Sequence, residues 1–142
     1  MSAIYVPNNN PLAGAITRAV EQHRFTEVSA AAVDAFIAST EDALLVLTAD
    51  PARTPETLDL LVVLPEALKA HPQRLHCGVA DAAESAQLRT RFDVSRLPAA
   101  VFFHCGRYVG AIEGMRDWDA LQRDVALLLS MPAVRGSAAA TH

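Results

Sequence analysis

Histidine and cysteine are the residue types in this 142-residue chain that are most suited to chemistry. The two cysteines, Cys77 and Cys105, each follow a histidine, His76 and His104. Thiolate and imidazole are good ligands for zinc or nickel, so the two pairs suggest a metal site. Two observations argue against it: another strand separates the two pairs in the sheet predicted below, and neighbours in a strand point to opposite faces. We therefore predict no metal ligands and no cofactor.

Thiol chemistry is the next candidate. The cysteines are 28 positions apart and no CxxC is present, so neither a disulfide framework nor a dithiol redox site is expected. Cys77 lies inside a predicted strand, where it is a small buried hydrophobe. Cys105 lies in a predicted turn, which leaves a monothiol oxidoreductase open as an alternative. Apart from Cys105 in that alternative, the sequence predicts no catalytic residue.

Composition narrows the class of protein. The chain is 51% hydrophobic and 20% charged with a net charge of −4, which is typical of one globular domain. Its basic residues are scattered, so a nucleic-acid partner is not expected. No apolar stretch is long enough to span a membrane and no secretory signal begins the chain, so we expect a cytoplasmic protein. We predict an arm at residues 1–10, one domain at 11–131 and a flexible tail at 132–142.

Hydrophobic periodicity and capping residues define the elements that must position any site. Helices and strands alternate until a final hairpin, which predicts an α/β fold with a mixed central sheet and helices on both faces. Thr54 is predicted to cap the long helix, which contains Pro65, and Asp117 to cap the last helix. Val62 and Trp118 are predicted to face the core. The predicted helices span residues 11–23, 29–39, 55–70, 82–91 and the segment after 117, and the predicted strands span 25–28, 43–48, 74–80, 99–104 and 108–113.

This order, read with the segment RLPAAVFFHCGRYVG at residues 96–110, resembles the thioredoxin fold over roughly residues 24–130. Pro65 matches the proline that kinks the long helix of that family, and Pro98 matches its cis-proline. Gly106 matches the hairpin turn and Gly114 the glycine before the last helix. The departure is at the redox motif, because Arg53-Thr54-Pro55-Glu56 occupies the place of CxxC. The resemblance therefore implies the fold without its thiol–disulfide exchange.

Residues 91–121 also resemble the accessory proteins of nickel–iron hydrogenase maturation, the HyaE/HupG family, which are thioredoxin-like proteins without CxxC. The matching features are Arg91-Phe92, Arg96-x-Pro98-Ala99, Gly106-x-Tyr108-x-Gly110, Gly114 and Trp118. This resemblance implies a cytoplasmic chaperone whose partner is the [NiFe] hydrogenase small-subunit precursor, including its twin-arginine export signal. Other maturation proteins are candidates for further partners. A structural subunit of a larger assembly stays open as a second alternative.

A cis-proline would leave a groove that can bind an extended peptide. A cis bond before Pro98 would turn the backbone so that Leu97 presents its N–H and C=O to a guest strand rather than to the sheet. We expect Glu56, Asp59 and Glu113 to receive arginines of the guest, although Glu56 and Asp59 also suit an ordinary solvated helix face. The predicted peptide-binding residues are Arg53, Thr54, Pro55, Glu56, Asp59, Leu97, Pro98, Glu113, Gly114 and Met115.

Overall fold

The computed structural model describes residues 10–71 and 75–131. The predicted order of helices and strands is confirmed. The arm and the tail predicted at residues 1–10 and 132–142 lie outside the described residues, apart from Asn10.

The described residues form five helices and five strands. The helices are α1 (Pro11–His23), α2 (Val33–Ala38, after a 3₁₀ turn at Ala30–Ala32), α3 (Glu56–Leu68), α4 (Ala82–Arg91) and α5 (Trp118–Ser130). The strands are β1 (Thr26–Glu27), β2 (Asp42–Leu47), β3 (Leu75–Ala80), β4 (Ala99–His104) and β5 (Arg107–Glu113).

The strands form one mixed sheet in the order β1-β3-β2-β4-β5. β1, β3 and β2 are parallel, whereas β4 runs antiparallel to β2 and β5 antiparallel to β4. β2 lies at the centre, and its residues 44–47 are completely buried. This explains why β2 reads as a continuous apolar run, since a strand that is covered on both faces has no polar side.

Helices cover both faces of the sheet, which confirms the predicted α/β class. One core packs α1, α3 and α5 against the sheet and includes Leu64 and Val125. The other packs α2 and α4 against the opposite face and includes Val33 and Leu88. None of the described helices is long and apolar enough to cross a membrane.

Side-chain caps explain where several helices begin. Asp117 accepts a hydrogen bond from the Ala120 N–H at 2.8 Å, as predicted. The predicted cap at Thr54 is wrong: α3 begins at Glu56 with Pro55 in the cap position, and no side chain caps it. Thr54 contributes its backbone instead, because its carbonyl oxygen accepts from the Thr57 N–H at 3.1 Å.

Two predicted core residues are exposed. Val62 is 62% exposed because α3 already buries Leu60, Leu61 and Leu64, which define a buried stripe that does not include Val62. Trp118 is 44% exposed because it is the first residue of α5, one turn before the fully buried Leu121. Both predictions were therefore wrong.

Candidate functional site

Three chain segments meet at one end of the sheet and form a cleft. Leu47, at the end of β2, pairs with Ala99 at the start of β4, and Ala99 pairs with Glu113 at the end of β5. The loop before α3, the segment before β4 and the segment after β5 therefore emerge beside one another. Between them lies a cleft of about 260 Å³ that is lined by Arg53, Thr54, Glu56, Arg96, Leu97, Pro98, Gly114 and Met115.

The backbone on one wall of this cleft is available for pairing. The bond between Leu97 and Pro98 is cis, as predicted. The Pro98 carbonyl oxygen accepts from the Gly114 N–H at 2.7 Å, which joins the two walls. Neither the N–H nor the C=O of Leu97 bonds to another backbone group in the part of the chain that the structure describes. Leu97 can therefore offer both groups to an extended guest segment.

Backbone conformation favours glycine at position 114. Its φ of +77° lies in the left-handed region, which disfavours any residue with a Cβ. A Cβ added there would also lie 3.1 Å from Cζ of Arg96. Gly114 thus allows the Arg96 guanidinium to pack directly against the cleft wall.

The structure separates the three carboxylates that were expected beside the cleft. Glu56 lines the cleft, whereas Asp59 is exposed on α3 and is not part of the lining. Glu113 serves the backbone: its Oε1 accepts from the N–H of Ser95 at 3.0 Å and from that of Arg96 at 2.9 Å. These bonds hold the segment before Pro98 in place, so Glu113 positions the wall. Pro55 is likewise absent from the lining.

The net charge of this cleft is the feature that the sequence analysis did not predict. Arg53 was predicted to line it, and Arg96 joins it from the opposite side. The turn at residues 96–98 was expected to form a wall of the groove, but Arg96 was not among the predicted peptide-binding residues. Together with Glu56, the two arginines give the cleft a mixed charge that is positive on balance.

Neither cysteine lines the cleft. Cys77 lies in β3, and its burial raises the pKa of the thiol to about 12. Cys105 follows His104, the far end of β4, which lies five residues or roughly 17 Å along the strand from Ala99. β2 separates β3 from β4, as predicted, and both cysteines are free. No described group on the cleft wall can therefore act as a redox thiol.

A second cleft, of about 410 Å³, lies on the other side of the loop that contains Asp50. Carboxylates of Glu27, Asp50 and Asp81 line it together with apolar residues of α1. Two of these carboxylates already have backbone partners: Asp50 accepts from the Ala52 N–H and Asp81 from the Glu84 N–H, at 3.0 and 2.9 Å. They stabilise the loop and the start of α4.

Comparisons with known proteins identify relatives of the whole domain. The family described as "Hydrogenase-1 expression protein HyaE" matches residues 15–121. The chain is 37% identical over 132 residues to the hydrogenase expression/formation protein HoxO of Cupriavidus necator, covering 92% of this chain and 82% of that protein. It is 34% identical over 123 residues to the hydrogenase expression/formation protein HupG of Bradyrhizobium diazoefficiens, covering 84% and 82%.

Solved structures show the same fold at low sequence identity. A mutant thioredoxin from Halobacterium salinarum NRC-1 superposes with a TM-score of 0.59 at 20% identity, covering 75% of this chain and 92% of that chain. Oxidized mitochondrial thioredoxin 3 from Saccharomyces cerevisiae gives a TM-score of 0.57 at 18% identity, covering 73% and 95%. The fold is therefore thioredoxin-like, and the chain belongs to the HyaE family of hydrogenase expression/formation proteins.

Proposed function

We propose that this chain is a non-redox chaperone that binds the [NiFe] hydrogenase small-subunit precursor, through its twin-arginine signal, in the cytoplasm before export. Membership of a hydrogenase expression/formation family supports the pathway. The cleft supports a binding role rather than an enzymatic one, because its described walls offer backbone groups and charges but no thiol.

The observation that carries the proposal is the backbone of Leu97 beside the cleft, where neither its N–H nor its C=O bonds to another described backbone group. An extended segment of the precursor would pair with the N–H and C=O of Leu97 as an added strand. Main-chain hydrogen bonds would supply affinity with little dependence on sequence, and the cleft side chains would supply specificity. Met115 adds an apolar wall that can adapt to different guest side chains.

The charges of the cleft determine how a signal with two arginines would bind. Glu56 is the carboxylate that lines the cleft, so it would form a charge-assisted pair with one guest arginine. Arg53 and Arg96 would repel a second guanidinium at the same place. We therefore expect one arginine of the signal in the cleft and the other outside it, with Arg53 and Arg96 donating to guest carbonyl or carboxylate oxygens.

Binding of a synthetic signal peptide to the purified chain tests this arrangement. Glu56→Gln should weaken binding about 10- to 100-fold in calorimetry, because it removes a charge-assisted hydrogen bond. Asp59→Asn is the matched control, since Asp59 lies three residues further along α3 and outside the cleft lining; it should bind like the unaltered chain. Equal losses for both variants would contradict a specific role for Glu56.

The signal peptide and the complete precursor can be tested separately. A peptide with lysines in place of both arginines should bind more weakly, because lysine cannot form the bidentate pair. Equal affinity for both peptides would overturn recognition of the twin arginines. Binding of neither the peptide nor the complete precursor would overturn the chaperone proposal itself.

A deletion strain tests the pathway. It should lose hydrogen uptake and accumulate unprocessed small subunit, and normal maturation would contradict the proposal.

Complementation with Cys105→Ser separates the chaperone from a monothiol oxidoreductase, which requires that thiol. Affinity purification of the tagged chain should recover the precursor transiently, whereas a stable multi-subunit complex would indicate a structural subunit.

A further inference from the structure

A group of metal-ligating side chains lies at the opposite end of the sheet from the cleft. Asp42, the first residue of β2, pairs in register with His104, the last residue of β4. Glu41 and Cys105 are their immediate neighbours outside the strands. A ring nitrogen of His104, the sulfur of Cys105 and a carboxylate oxygen of Glu41 all lie within 4.8 Å of one another.

The turn bears on one of the two sequence arguments against a metal, the alternation of side chains along a strand. Alternation places His104 and Cys105 on opposite faces only if both lie within a strand. Cys105 lies beyond the end of β4 with a φ of +51°, in the left-handed region. Its N–H donates to the Glu41 carbonyl oxygen at 2.7 Å, which ties the turn to the start of β2. His76 and Cys77, the other predicted pair, take no part in the group.

Asp42 supplies a second, independent feature of metal sites. Its Oδ1 lies 2.8 Å from Nδ1 of His104. When Nδ1–H donates to Asp42, the lone pair of Nε2 remains free to bind an ion. Histidines that bind metals commonly donate their other ring N–H to a carboxylate, which fixes the tautomer and raises the basicity of the ligand nitrogen. Asp42 thus orients His104 without itself being a ligand.

We propose that Glu41, His104 and Cys105 bind one divalent transition-metal ion of the zinc type. One nitrogen, one sulfur and one oxygen suit Zn²⁺ or Co²⁺ and are a poor set for Mg²⁺ or Ca²⁺, which prefer oxygen. Tetrahedral coordination at 2.0–2.3 Å places ligand atoms roughly 3.3–3.8 Å apart. Glu41 and Cys105 are exposed and His104 is half-buried, so small side-chain rotations can bring the three atoms to that spacing.

The charges of the proposed site balance. A thiolate and a carboxylate neutralise the two positive charges of the ion, and Asp42 adds outer negative charge through His104. The Cys105 thiol releases its proton to solvent as the sulfur–metal bond forms. Three protein ligands leave a fourth position, which water or a group from a binding partner can occupy.

Cobalt titration of the untagged, chelator-treated full chain tests the proposal directly. Co²⁺ should bind one ion per chain with a thiolate-to-cobalt charge-transfer band, and Zn²⁺ should displace it. Cys105→Ser should abolish the band, and His104→Gln and Glu41→Gln should each weaken binding at least tenfold. Asp42→Asn should weaken it about 10- to 100-fold while keeping the band, as expected for an orienting residue.

Cys77→Ala is the control, because Cys77 lies in β3 and outside the group; it should leave the band and the affinity unchanged. Loss of the band in Cys77→Ala, or cobalt binding that His104→Gln and Glu41→Gln do not alter, would overturn the site. Circular dichroism of each metal-free variant separates lost binding from lost folding. Since none of these readouts involves the precursor, failure here would leave the chaperone proposal unaffected.

Discussion

At the scale of single residues, the two thiols should differ sharply in reactivity. Burial raises the pKa of Cys77 to about 12, whereas Cys105 is exposed. Because the thiolate is the reacting form, Cys77 stays protonated and unreactive from pH 7 to 9. Iodoacetamide should therefore label one thiol of the native chain and two in urea, as counted by mass spectrometry. Native Cys105→Ser should show no labelling, and rapid labelling of that variant would contradict the assignment.

Two glycines of the sheet should respond differently to the same substitution. A Cβ at Gly78 would lie 2.7 Å from Cζ of Phe36 and 2.8 Å from Cγ2 of Val28, both buried in the core. A Cβ at Gly110 would lie 2.7 Å from Cδ2 of Leu128, which is the end of a flexible, half-buried side chain.

Gly78→Ala should consequently lower the free energy of unfolding by about 1–3 kcal/mol, because a packed core resists insertion of a methyl group. Gly110→Ala should cost less, since Leu128 can move aside. Urea unfolding of the two variants measures the difference. An equal or larger loss for Gly110→Ala would show that the rigidity of the neighbour does not set the cost.

Single residues also show what the sequence could and could not predict about the cleft. Pro98 and Glu56 were identified because they occupy positions that a known motif defines. The contribution of Arg96 to the charge of the cleft was not predicted, because its packing depends on a glycine that lies 18 residues away in sequence, Gly114. Likewise, the contact of Glu41 with Cys105 depends on strand register and on a turn with positive φ, which local periodicity does not reveal.

At the scale of elements, a buried serine joins two strands to a helix. Ser85 of α4 accepts from the Thr48 N–H at 2.8 Å and donates to the Ala80 carbonyl oxygen at 3.1 Å. The Thr48 hydroxyl donates to the same carbonyl oxygen at 2.7 Å. Ser85 and Thr48 are completely buried. These bonds therefore satisfy the N–H of Thr48, just after β2, and the carbonyl oxygen of Ala80, the last residue of β3.

Ser85→Ala should lower the free energy of unfolding by about 1–3 kcal/mol, because it leaves the Thr48 N–H buried without its partner. Ser130→Ala is the control: Ser130 is exposed at the end of α5, and its hydroxyl donates to the Leu127 carbonyl oxygen at 2.9 Å. That variant should change stability by less than about 0.5 kcal/mol. Similar stabilities for the two variants in urea would contradict a structural role for Ser85.

The elements themselves were predictable because each carries a strong local signal. The apolar run of β2 and the cap at Asp117 depend on residues close in sequence, and both predictions were confirmed. The errors in the predicted core concern relations between elements. Val62 is apolar but lies outside the stripe that α3 turns toward the sheet, and only the orientation of the packed helix determines which apolar residues are covered.

At the scale of the whole molecule, the sheet separates the two proposed sites. The cleft lies where β2 ends and β4 begins, and the metal-ligating group lies where β2 begins and β4 ends. Both use segments next to strands rather than strand interiors, as is usual for functional residues on a rigid scaffold. The same two central strands therefore position both sites, and the stability of one sheet supports both.

That sheet should also make the two cores unfold together. Val33 belongs to the core on the α2–α4 face and Val125 to the core on the α1–α3–α5 face, and both are completely buried. Val33→Ala and Val125→Ala should each lower the free energy of unfolding by about 2 kcal/mol through lost apolar burial and the cavity left behind.

Because β2 and β4 contribute residues to both cores, neither face can remain folded once the sheet is lost. Each variant should thus show one transition in urea, with circular dichroism and Trp118 fluorescence giving the same midpoint. Val33 and Val125 lie on opposite faces of the sheet, so the double variant should lose the sum of the two single losses in free energy of unfolding within about 0.5 kcal/mol. Separate midpoints for the two probes, or a transition in which only one face melts, would show that the cores are independent.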